Sequence, residues 1–304
     1  MPQKRCLVIG ASGQLGKALR GVFQENCQLL ETYRTPAKPG QIRIDLADPA
    51  GTQAVLRELQ PDWILIAGAF CNVDLCETQR EICWAVNVQG PTQVCEYASQ
   101  HGAVVVYYST DQVFDGQKAF SETDPVHPIN VYASSKVEGE KVVRVTLPDN
   151  HLILRTTCLY GPDNARRNFV LRFADRLGRG EATPVAEDQW AAPTFTEDLA
   201  LLTRFLLERQ ERGLFHATGP EFMSRVSWAL EICRVFGLNP ALVVPTPTAR
   251  LGQAAKRPFG VRLDCRKLNT MNHAPRFRKL DDGLKTLLQW NNAESSCFDS
   301  RSHP

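Results

Sequence analysis

No apolar run in this chain approaches the ~20 residues that span a bilayer. The longest, such as Trp63 to Phe70, fall far short, so no membrane partner is expected. Charge of one sign is equally scarce: 35 Lys and Arg face 33 Asp and Glu, a net +2. That balance excludes an electrostatic nucleic-acid binder. CxxC pairs are missing. The ten cysteines are irregularly spaced, with Cys71, Cys76 and Cys83 the closest cluster, and no histidine stands at ligand spacing from them. No metal is expected, and the thiols read as small buried apolar side chains. Repeats and low-complexity blocks are also lacking. Lys4 and Arg5 lead into too few apolar residues before Gly10 to make a signal peptide, which points to the cytoplasm.

What is present is ordinary globular material: 304 residues, 43% hydrophobic and 22% charged. That suffices for one large domain or two moderate ones. Short β-type runs alternate with amphipathic stretches through the first half. Cys6 to Ile9, Gln28 to Thr32, Ile42 to Ile44, Trp63 to Ala67, Ala103 to Ser109 and His151 to Arg155 read as strands. Between them, Leu15, Ala18, Leu19, Val22 and Phe23 recur at helical spacing. Further helices are expected around Ala54 to Leu59, Val86 to Gln100 and Tyr132 to Val145. Apolar strands separated by helices predict an α/β protein built on a Rossmann-type doubly wound parallel sheet. From Cys158 the alternation loosens, and Pro162, Pro184, Pro193, Pro220 and Pro240 punctuate shorter elements. The expected division is a sheet domain over 1–157, with later segments returning to it, and a smaller C-terminal substrate domain over 158–290. Residues 291–304 are polar and aperiodic and are expected to be disordered.

The segment VIGASGQLG follows the first strand and opens the first helix, placing Gly10, Gly13 and Gly16 at GxxGxxG spacing. Gly10 permits the tight turn, Gly13 lets a pyrophosphate approach the backbone, and Gly16 lets helix and strand pack closely. The phosphates then meet the positive end of the helix. At the end of the second strand, Glu31 stands near the offset of an acid that holds a ribose 2′-OH, yet lies within the strand. Arg34 sits at the strand's exit with Lys38 nearby. Two cations there favour a 2′-phosphate, so NADP(H) is expected, with NAD(H) as the alternative.

In YASSK, Tyr132 and Lys136 occupy positions i and i+4 of a predicted helix, which share one face. An ammonium beside the phenol favours the phenolate and lowers the tyrosine pKa. Tyr132 then becomes a usable acid toward a substrate carbonyl, and Lys136 also reaches cofactor ribose hydroxyls. STDQVFDG, from Ser109 to Gly116, begins at the carboxyl end of a strand, where ligands meet an open parallel sheet. Thr110 can hydrogen-bond the same carbonyl oxygen. Asp111 reads as a cap or turn former with no chemistry.

In this order the three motifs resemble the extended short-chain dehydrogenase/reductases and, more narrowly, the dTDP-4-dehydrorhamnose reductase family. DQWAAPTFTEDLA, LFHATGP and KRPFGVRLDCRKL extend the resemblance over about residues 5 to 290. It implies that Gly10, Ser12, Gly13, Gln14, Leu15, Gly16 and Arg34 line the cofactor. Asp45 and Leu46 would flank the adenine; Ala67, Gly68 and Ala69 would border the ribose-phosphate region. Thr110, Tyr132 and Lys136 would be catalytic, the last two also touching cofactor. Asn168, Phe169, Gln189 and Arg257 match segments bordering the sugar nucleotide, and Arg257 suits a diphosphate. The implied activity is NADPH-dependent reduction of the 4-keto group of a dTDP-4-keto-6-deoxyhexose, the substrate being the expected partner and a homodimer being compatible. Cys158 stands where this family commonly has a tryptophan beside the sugar, Gln112 replaces a tyrosine, and Ala191 a glycine. LDCRKL also resembles the methionine adenosyltransferase regulatory beta subunit, implying an NADP-binding regulatory subunit as the alternative.

Overall fold

The computed structural model describes residues 3–116 and 118–299. Its centre is a seven-stranded, wholly parallel sheet. The strands are β1 (Arg5–Ile9), β2 (Gln28–Tyr33), β3 (Ile42–Arg43), β4 (Trp63–Ile66), β5 (Val104–Thr110), β6 (His151–Thr156) and β7 (Gly213–His216). They lie in the order β7-β6-β5-β4-β1-β2-β3. The order reverses between β1 and β4, and that switch point opens a crevice at the carboxyl ends of the strands.

Side-chain alternation explains the two covered faces. Leu7, Ile9, Ile64, Ile66, Val105 and Ile153 point one way, toward α2 (Pro49–Leu59), α3 (Gly90–His101) and α4 (Val131–Thr146). Cys6, Val8, Leu65, Val106 and Leu154 point the other way, onto α1 (Gln14–Phe23) and α6 (Thr196–Glu208). Phe215 of β7 belongs to that second face. Strand β7 and helix α6 thus pack with the sheet from beyond residue 158. A separate core gathers Tyr160, Val170, Leu171, Phe173, Trp228, Ile232 and Leu284. It joins α5 (Phe169–Gly178), α7 (Arg225–Phe236) and α8 (Leu280–Asp299). Of the described helices, none is long and apolar enough to cross a membrane.

Two departures from the sequence reading have local causes. The helix expected from Val86 begins with a π-helical turn, Ala85–Gln89, before α3. The buried Asn87 there bonds in both directions with the Phe70 backbone (2.9 and 3.0 Å) and donates to Ser135 Oγ (3.0 Å). The polar stretch from Asn291, expected to be disordered, instead continues α8 to Asp299. Side chains hold it: Arg166 donates to Asn291 Oδ1 (2.7 Å) and Asn164 to Glu294 Oε2 (2.9 Å). Residues 300–304 of that expected tail lie outside the described residues.

The catalytic end of the sheet is positioned by α4. Asn130 caps it, accepting from Ala133 N at 2.7 Å, which fixes its start. Arg155 on β6 grips Glu140 on α4 through two hydrogen bonds of 2.8 and 2.7 Å, with side chains 2% and 1% exposed. Gly139 lies so close to the sheet that a Cβ would stand 2.1 Å from the Tyr107 hydroxyl. Removing one charge of a buried pair strands the other. Glu140→Gln is accordingly expected to lower the free energy of unfolding by about 3–5 kcal/mol, measured by urea denaturation. A loss below ~1 kcal/mol would contradict this role for the pair.

Candidate active site

The crevice at the switch point is a cleft of about 640 Å³, a size that holds small ligands. Its floor comes from the residues just after β1, β4, β5 and β6. Gly10 has φ +89°, and a Cβ there would lie 2.8 Å from the Gly68 backbone, so only glycine serves. Gly16 packs even closer, with a Cβ position 2.2 Å from Gly10 O. It supports the turn from behind and does not line the cleft. Gly13 caps α1 with no side-chain cap bond, and Ser12, Gly13, Gln14 and Leu15 line the cleft beside it. The first-turn N–H groups are thereby left for an anion. Gln14 Oε1 is buried without a hydrogen-bond partner among the described residues. Both features fit a dinucleotide phosphate and its ribose.

The remaining expected cofactor residues, Arg34, Asp45, Leu46, Ala67, Gly68 and Ala69, line the same cleft. Glu31 is committed elsewhere: it pairs with Arg20 at 2.8 Å and accepts from the Tyr33 hydroxyl. Arg34 forms no ion pair with any described carboxylate. The electrostatics at this end thus suit a 2′-phosphate.

Thr110, Tyr132 and Lys136 converge on the cleft from β5 and α4. Burial raises the Tyr132 phenol well above its ordinary value, while a hydrogen bond with Thr110 works the other way. Burial also brings the Lys136 ammonium down to about 7, opposed chiefly by Glu140. Its Nζ lies 3.8 Å above the Tyr107 ring, a favourable face for a cation. The sequence reading of a phenol lowered by the lysine is therefore corrected. Desolvation is the largest cause of the rise, and the fields of Cys71 and Asp111 add to it.

Asp111, a cap or turn former by its place in the sequence, anchors this corner. Its carboxylate accepts from Thr110 Oγ1 at 3.0 Å and from Thr157 Oγ1 at 2.7 Å, and burial raises its carboxyl. Three-dimensional convergence of β5 and β6 creates the contact, and no spacing in the sequence reports it.

The expected substrate residues divide. Asn168 lines the cleft while capping α5, accepting from Leu171 N at 3.0 Å. Gln189 lines it too, held by Thr248 and Gln253 at 3.0 and 3.2 Å. Phe169 does not line it: its ring packs on Trp228, 4.8 Å between centroids, inside the second core. Arg257 borders the cleft with its fork closed on Asp74 at 2.9 and 2.7 Å. That pairing holds the Asp74 carboxyl below its usual range. The nine cysteines with described side chains are free thiols.

A parallel sheet in this order, with a glycine turn heading its first helix, defines a Rossmann-type nucleotide-binding fold. The chain belongs to the RmlD substrate binding domain family, whose model matches residues 4–291. It is 32% identical over 304 residues to the dTDP-4-dehydrorhamnose reductase of Streptomyces griseus, covering 98% of this chain and 94% of that one. It is 29% identical to the methionine adenosyltransferase 2 subunit beta of Danio rerio, over 89% of this chain and 85% of that one. A crystal structure of the Bacillus anthracis dTDP-4-dehydrorhamnose reductase in complex with NADP superposes with a TM-score of 0.85 at 28% identity. That superposition covers 95% of this chain and 99% of that chain.

The buried lysine makes a stability prediction with a defined sign. Its value is about 7 in the fold against an ordinary 10.5, so the unfolded chain binds the extra proton between those limits. Stability therefore rises with pH across that window, and the burden of the buried charge is complete below it. Lys136→Met is expected to be more stable than wild type at pH 6, the gap closing as the pH approaches 10. Thermal denaturation across that range tests this; a less stable variant at pH 6 would refute it.

Proposed function

We propose that the chain is an NADPH-dependent reductase of the 4-keto group of a dTDP-4-keto-6-deoxyhexose. The observation that carries this is the convergence of Thr110, Tyr132 and Lys136 at one end of a cleft whose other end is a glycine phosphate cradle. A regulatory binding subunit has no use for a phenol and an amine buried together at that point. Its relatives include dTDP-4-dehydrorhamnose reductases, which agrees with the assignment.

When bound, NADP(H) supplies the hydride. Gly10, Gly13 and the first turn of α1 would hold its phosphates, Gln14 its ribose, and Arg34 the 2′-phosphate. The keto oxygen lies between Tyr132 and Thr110. The raised phenol is protonated at neutral pH, which is the form a reduction requires of its acid. Tyr132 gives that proton to the oxygen as negative charge develops there. The Thr110 hydroxyl donates its one proton to Asp111 in this structure, so it would turn from that carboxylate to donate to the keto oxygen. Lys136, when protonated, stabilises the phenolate left behind. The second core, through Asn168 and Gln189, supports the nucleotide-sugar side.

NADPH oxidation followed with dTDP-4-dehydrorhamnose tests the reading. Tyr132→Phe is expected to lower kcat by about 10²–10⁴, with NADPH affinity unchanged; retained turnover would remove Tyr132 as the acid. Replacing Arg34 with Ala should weaken NADPH by about tenfold or more while leaving NADH little altered. Equal losses for the two cofactors would overturn the 2′-phosphate assignment.

A further inference from the structure

Among the cations that line the cleft on its substrate side, Arg225 stands apart. Arg257 is closed on Asp74, and Arg167 faces Asp163 at 3.5 Å. Arg225 forms no ion pair with any described carboxylate. Its backbone is pinned at the first residue of α7, where its N–H donates to Gln189 O at 2.8 Å. Its guanidinium carbon lies 5.3 Å from the Phe169 ring centroid and 5.1 Å from that of Trp228. Two aromatic faces thus orient the fork without using its donors.

Arg225 lines the same cleft as Thr110, Asp111 and Cys158, and its charge works against the upward shift that burial imposes on the Asp111 carboxyl and the Cys158 thiol. Asp111 directly follows Thr110 and binds it, and Cys158 directly follows Thr157, the other partner of Asp111. Cys158 has φ +46°, a left-handed conformation uncommon outside glycine, asparagine and aspartate. Cys158 and Arg225 both line the cleft, and a cysteine fills less of it than a large side chain would. A thiol is a poor acceptor and cannot satisfy five N–H donors. An oxygen-rich ligand can.

We propose that Arg225 selects the sugar: its N–H groups hydrogen-bond the oxygen substituent on C3, the hydroxyl-bearing ring carbon beside the reacting carbonyl. The ligand class is a 4-keto hexose nucleotide that keeps its C3 hydroxyl, and the residue reads the sugar rather than the diphosphate. Arg225 does not touch the proton or hydride in transit; it sets which ring enters. This inference rests on the reductase reading above.

The test uses Arg225→Met, which keeps bulk between the two rings, and Arg225→Lys, which keeps the charge without the fork. With dTDP-4-dehydrorhamnose, Arg225→Met is expected to raise KM by about 10- to 100-fold, the loss of charged hydrogen bonds, with kcat within about threefold. Arg225→Lys should fall between the two. Inhibition by dTDP alone and NADPH affinity should be unchanged in both. A folded Arg225→Met with wild-type KM overturns the assignment, as does a parallel loss of dTDP inhibition, which would make Arg225 a diphosphate clamp. If Arg225→Met does not fold, an Arg225→Lys with wild-type KM overturns it alone. Wild-type protein that shows no turnover but binds NADPH overturns the reductase reading itself, and this inference with it.

Discussion

One buried ion pair governs the geometry of the cleft. Arg155 and Glu140, both almost wholly withdrawn from water, join the strand beside β5 to the middle of α4. The helix carries Tyr132 and Lys136 one turn apart near its start, so its rotation and height on the sheet decide where both groups lie. Apolar packing alone would tolerate small slides along the sheet. A bidentate charged contact does not, because every ångström of drift breaks hydrogen bonds that nothing else inside the protein replaces. The close seat of Gly139 against Tyr107 removes the remaining freedom.

That rigidity has an electrostatic side. Both members of the Tyr–Lys pair are pulled toward their neutral forms by burial. The site thus begins with a protonated phenol and a weakly held ammonium, a combination that resists spontaneous ionisation. Charge is favoured there only when something arrives to share it. The aromatic face of Tyr107 and the carboxylate of Glu140 keep the ammonium from being lost altogether.

Much of this was legible in the residues. Continuous apolar strands forced a covered parallel sheet, and three glycines at a strand-to-helix junction implied close backbone approach. The i and i+4 spacing of Tyr132 and Lys136 told which face they share. Other parts were hidden for identifiable reasons. Asp111 acquires its role from Thr157, 46 positions away and just past the end of β6. Arg225 is an unremarked helix-start residue in sequence and enters the cleft only because the second core folds against the sheet. Phe169 borders a matching segment, yet α5 turns its ring inward toward Trp228. The π-turn before α3 depends on the Asn87 amide finding Phe70 and Ser135, which no helical periodicity records. The final helix leaves no periodic trace in the sequence because its anchoring partners, Asn164 and Arg166, belong to a loop more than a hundred residues earlier.

The closed Arg257–Asp74 contact means that this corner is already neutralised before any phosphate comes near. Any anion brought to Arg257 would have to displace the Asp74 carboxylate, and its net gain would be the small difference between two strong attractions. Such a latch ties the segment carrying Ala255 and Arg257 to the short helix that carries Asp74, so two stretches about 180 residues apart in sequence share one fastening at the rim of the cleft.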